Sequence, residues 1–139
     1  LGHRPNSLTH QLRLRGFTEI LEKAGITPQV IDNPHGCSSI DIGYALSRKL
    51  FANGCSATAI FASTDSMALG VLQAADEYGI SIPEDISLLG FDNIIYSALP
   101  KIELSTIDQR KQLLVHLHAL LTYMGLRPDG PNGGGAPSL

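Results

Sequence analysis

Residues 59–70, AIFASTDSMALG, carry the pattern that decides the fold. An apolar run, Ala59-Ile60-Phe61-Ala62, breaks into Ser63-Thr64-Asp65 and then turns apolar again. The run TAIFA (residues 58–62) is short, apolar and bounded, as a buried strand is. Beyond the polar island, Ala68, Val71, Leu72 and Ala75 recur at helical spacing until Gly79. Asp65 or Ser66 suits the N-cap of that helix. ISIPED then makes a Pro-bearing connection, and ISLLGFD (residues 86–92) reads as a second buried strand. A strand–helix–strand unit of this kind is right-handed with parallel strands. Parallel strands finish on one edge, so Ser63-Thr64-Asp65 and Asp92-Asn93 are expected on a shared rim. In open α/β sheets that carboxyl rim is where ligands bind.

Working outward, Phe17, Ile20, Leu21 and Ala24 form one apolar stripe on a helix over residues 9–24, with Gly25 behind it. Pro28 opens a short extended segment, QVID, and NPHGCSS (residues 33–39) is a loop by composition, expected on the same rim. Ser39 and Asp41 begin a second helix that turns Ile42, Ala45, Leu46 and Leu50 inward and closes at Asn53-Gly54. After the second buried strand come a loop, NIIYSALPK, a short strand, IELSTI, and an apolar helix over residues 109–124. The last stretch, residues 125–139, is rich in Gly and Pro and reads as disordered. Alternating strands and helices of these lengths predict an α/β fold, a parallel sheet covered on both faces.

The composition is that of a globular chain. Of 139 residues, 43% are hydrophobic and 17% charged, enough for one core. No apolar run approaches the roughly 18–20 residues of a membrane span, and no signal-peptide core opens the chain. Cys37 and Cys55 have neither metal nor disulfide spacing, which fits a reduced, cytoplasmic chain. The net charge of −3, with basic residues clustered only between Arg4 and Arg15, argues against DNA binding by this chain itself.

A carboxylate and a guanidinium together suit a polyhydroxylated ligand, one accepting hydroxyl protons and the other donating. Asp92 on the rim and Arg13 near a helix start supply that pair. Capping and turn roles would equally account for Asp65, Thr64 and Asp92-Asn93. His35 and Cys37 sit two apart without further metal ligands, and His116 and His118 on one helix face different ways. No nucleophile elbow and no GxGxxG is found, so neither an enzyme nor a bound cofactor is expected.

Residues 58–93, TAIFASTDSMALGVLQAADEYGISIPEDISLLGFDN, closely resemble the effector-binding core of lactose-repressor-type (LacI/GalR) bacterial transcription regulators. The shared marks are Asp65, Met67-Ala68-Leu69-Gly70, Gly79-Ile80, Ile82-Pro83-Glu84-Asp85-Ile86-Ser87 and Gly90-Phe91-Asp92-Asn93. RLRGFTEILEKAGI and LPKIELSTIDQ are similar to the flanking segments, so the likeness runs over residues 9–112. It implies a periplasmic-binding-protein-like (type I) fold and a cytoplasmic homodimeric repressor. Its effector would be a small molecule, a sugar rather than a purine because the 33–39 loop offers no stacking aromatic. By the same resemblance Arg13 and Asp92 grip the effector; Asp65 matches the neighbouring acid and counts among the ligand-binding residues, with a structural role as its alternative. Thr64 stands where many members carry Asn, and Thr9 and Gln109 border the pocket. Leu69, Leu72 and Leu99 belong to the dimer face or to plain core.

The resemblance also marks departures. Operator DNA would be reached only through an amino-terminal helix-turn-helix, which nothing here resembles. LGHR runs into PNSLTHQLRLRG as though an intervening strand were lost. The expected organisation is a partial effector-binding subdomain over residues 1–112, a diverging helix over 113–124 and a tail over 125–139. With half the pocket outside this sequence, Arg13 and Asp92 are expected to be solvated and weakly paired, and effector binding by the chain alone weak. A sugar-binding protein of an ABC-type transport system is the alternative function.

Overall fold

The computed structural model describes residues 1–110 and Ala119. Apart from Ala119, the predicted helix over 113–124 and the tail lie outside the described residues. The chain divides into two compact units, Leu1–Ile107 and Asp108–Leu139. The first holds α1 (Leu8–Lys23), α2 (Ile40–Ala52), β1 (Ala59–Phe61), α3 (Asp65–Glu77), β2 (Ser87–Phe91), a 3-10 turn at Ile95–Ala98 and β3 (Ser105–Ile107). The three strands pair in the order β1-β2-β3, all parallel. Phe61 stands opposite Leu89, and Phe91 opposite Ile107. The strand–helix–strand reading of residues 58–92 is therefore the one the chain adopts.

Side chains alternate across a strand, and the two faces of the sheet are covered differently. Ile60 and Leu88 turn toward α2 and α3 and join Met67, Ala68, Val71 and Ala74 in the core. Gly43 and Gly70 let α2 and α3 cross at backbone distance. A Cβ on Gly70 would collide with the Ile40 carbonyl and the Tyr44 nitrogen, and one on Gly43 with the Met67 carbonyl. On the other face Phe61 stacks against Phe17 of α1, with ring centroids 4.9 Å apart.

The extended segment QVID forms no ladder and supplies a single bridge, Asp32 to His3. Residues 1–3 run extended beside residues 31–33. Gly2 and His3 donate backbone N–H groups to the Ile31 carbonyl, and Ser63 donates to Leu1. Two expectations need correction. The inward face of α1 is rotated from the predicted one. His10 is buried and Phe17 and Leu21 half-buried, whereas Ile20 is 68% exposed and Ala24 is an exposed C-cap. In α2 the buried positions are Gly43, Ser47 and Phe51, and Ala45 is exposed. Small and hydroxylic residues let the helices approach there, a signal that counting apolar residues overlooks.

Candidate functional site

The rim at the carboxyl ends of β1 and β2 is organised around Arg13. Its Nη1 donates to the Ser63 carbonyl at 2.6 Å, just beyond β1. Its Nη2 donates to Asp92 Oδ1 at 3.0 Å, just beyond β2. The guanidinium also lies over the Phe91 ring, 4.0 Å from the centroid. One side chain from α1 therefore ties together the ends of two neighbouring strands, and parallel pairing is what puts those ends side by side. The expectation of a solvated pair is overturned: the side chains of Arg13 and Asp92 are 10% and 19% exposed. The aromatic floor of Phe91 and the helix above it remove water, which strengthens a charge-assisted bond.

Asp92 and Asn93 both have positive φ, 116° and 50°. Asn enters the left-handed region readily, but φ near 116° is strained for a side chain with a Cβ and costs about 1–3 kcal/mol. Such backbone is held by its surroundings. Here the Ile107 carbonyl accepts from the Asp92 N–H at 3.0 Å, and Thr106 Oγ1 accepts from the Asn93 N–H at 3.2 Å.

Asp65 stands behind that turn. It is fully buried and accepts from Ile94 N at 3.0 Å, from Ser97 Oγ at 2.9 Å and from the Thr106 hydroxyl. A Cβ on Gly90 would collide with Asp65 Oδ1, so the glycine of the GFDN segment makes room for this carboxylate. Three bonds and complete burial make Asp65 a brace rather than a surface that a ligand could touch. It is not the N-cap either. Thr64 takes that role, its Oγ1 accepting from Met67 N at 3.2 Å. A Thr at the cap with an acid one position on frees the carboxylate to reach across to the 94–106 region.

The remaining predicted residues are less drawn in. Thr9 is exposed on the first turn of α1. Gln109 is half-buried and belongs to the second compact unit. Leu69 and Leu72 are half-buried, Leu72 against the core, and line a surface groove of about 660 Å³ with Ile80, Ile82 and Ile102; Leu99 is exposed. Reading the sequence missed Ser63, whose carbonyl holds Arg13, and Ser97 and Thr106, which hold Asp65. Ser63 was visible in the polar island, but its use is through the backbone. Ser97 and Thr106 lie more than thirty residues from Asp65, and nothing local links them.

The comparisons with known proteins agree with this geometry. The family described as "Periplasmic binding protein-like domain" matches residues 1–133. The HTH-type transcriptional repressor PurR of Edwardsiella ictaluri (strain 93-146) is 37% identical over 102 residues, which cover 73% of this chain and 30% of that protein. A LacI-family transcriptional regulatory protein from Corynebacterium glutamicum superposes with a TM-score of 0.75 at 32% identity, over 84% of this chain and 47% of that one. The lac repressor bound to ONPG in its repressed state gives a TM-score of 0.76 at 29% identity, over 89% and 38%. The chain thus spans under a third of the length of that PurR relative. These relatives are described as transcriptional repressors and regulators. With a parallel sheet, a braced rim and these relatives, the chain belongs to the periplasmic binding protein-like domain family, in the form found in LacI/GalR-type regulators.

Proposed function

We propose that the rim formed by Arg13, Thr64 and Asp92 is one wall of the effector site of a cytoplasmic LacI-type repressor. The observation that carries this reading is the bracing itself: Arg13 joins Ser63 and Asp92 across two strand ends, and Asp92 sits on strained backbone. Strain of that kind is kept where the surroundings impose it, and it concentrates at ligand sites. Effector bound here and to a facing subdomain stabilises one arrangement of the two, and so shifts the operator affinity of a separate DNA reader. One wall buries little of a ligand, so the chain alone binds weakly.

The ligand class has two candidates, each with its own support. Hydroxyl and carboxylate groups on the rim suit a sugar, and the 33–39 loop carries no Phe, Tyr or Trp on which a base could stack. The PurR relatives favour a purine. Leu69, Leu72 and Leu99 are assigned to a homodimer face. Calorimetric titration of a full-length repressor carrying this domain, with a panel of purines and sugars, tests the reading. Asp92→Ala is expected to weaken the responding ligand by at least about tenfold. Unchanged affinity contradicts the assignment.

A further inference from the structure

His10 lies buried on α1 one turn before Arg13, and nothing so far gives it a role. Its Nδ1 has no hydrogen-bond partner in the protein, and the same holds for Arg13 Nε and His3 Nδ1. The three side chains line one small pocket of about 30 Å³, together with Leu14, Phe17, Phe61 and Ser63 among others. A water needs roughly 10–15 Å³ and two or more polar partners, so this space is large enough and polar enough for one. The Gly2 carbonyl lies near the His10 ring and favours its protonated form. A neutral ring protonated on Nε2 presents a lone pair at Nδ1. Arg13 Nε always carries a hydrogen. One molecule that accepts from Arg13 and donates to His10 satisfies both.

We propose that His10 is a positioning residue for Arg13, acting through one ordered water that accepts from Arg13 Nε–H and donates to His10 Nδ1. With its third N–H held, the guanidinium plane is fixed while Nη1 and Nη2 reach Ser63 and Asp92. The bridge requires neutral His10. Burial lowers its pKa first, followed by Arg13 on the same helix and Arg4 and His3 from the opening segment; the Gly2 carbonyl works in the opposite sense. Asp92 is the carboxylate on the far side of Arg13. Because the folded value lies below the ordinary 6.5, the neutral form is favoured by folding. Its contribution is complete above about pH 6.5 and is lost as pH falls through the lowered value. Protonation turns Nδ1 into a donor, and the bridge breaks.

The placement of Arg13 is independent of any ligand; only its consequence for effector affinity rests on the reading above. The test is nitrogen-15 NMR of the 139-residue chain. At pH 7.5 the Arg13 Nε–H should be protected, show cross-relaxation with a bound water, and coexist with a His10 ring protonated at Nε2. Acidification should abolish the water signal in step with the titration of His10. His10→Phe should speed exchange of that hydrogen by about tenfold, and His10→Asn, whose amide replaces the Nδ1 acceptor, should restore protection. Should His10→Phe fail to fold, the wild-type titration and His10→Asn decide the matter. The proposal is overturned if the water signal is absent at pH 7.5, if the proton sits on Nδ1, or if the signal ignores the His10 titration. No effector enters these readouts, so the proposal can fail without touching the function assigned to the rim.

Discussion

The two faces of the sheet are built on opposite terms. On the α2–α3 side, Met67, Ala68, Val71 and Ala74 are fully buried and two glycines bring the helix backbones together. On the α1 side the inward positions are His10, Arg13, Leu14, Phe17 and Leu21, while Leu8, Leu12 and Ile20 stand exposed. The first face is held by packing density, and a single methyl group is felt there. The second is held by a stacked aromatic pair and by charge, and its apolar residues contribute least where they look most helical. Close helix packing is concentrated on one face, and the Arg13–Asp92 ion pair and the aromatic stack on the other.

The largest break in this contrast should come at the helix crossing. Gly70→Val drives a branched side chain into the Ile40 carbonyl and Tyr44 nitrogen, and helix propensity recovers only a fraction of the cost. Urea unfolding should show a loss of about 3 kcal/mol or more. Asp65→Asn comes next. It removes the charge to which Ile94, Ser97 and Thr106 donate, and about 2 kcal/mol should be lost together with order around Asp92 and Asn93. A chemical-shift map confined to residue 65 would sharpen the contrast against the brace. Ile20→Glu should change stability by less than about 0.5 kcal/mol, since the side chain is already 68% exposed. A large loss would show that the α1 stripe is covered after all.

Sequence reasoning found the rim because parallel pairing follows from the strand–helix–strand order alone. It placed α3 well because that helix is apolar at nearly every inward position. It rotated α1 because Arg13 and His10 occupy the inward face, and polarity there reads as solvent exposure until a partner is known. The same blindness hid Asp65. A buried acid is indistinguishable from a capping acid when its donors, Ser97 and Thr106, come from a later turn and strand. Solvation of Arg13 and Asp92 was misjudged for a related reason: the cover comes from Phe91 and α1 within this chain.

A double-mutant cycle on Arg13 and Asp92 tests the preformed rim most directly. Urea unfolding of the wild type, Arg13→Met, Asp92→Asn and the double variant isolates the coupling between the two side chains. A preformed, largely buried pair predicts coupling of about 1 kcal/mol or more, retained at high salt. Additive effects to within about 0.3 kcal/mol would contradict the account.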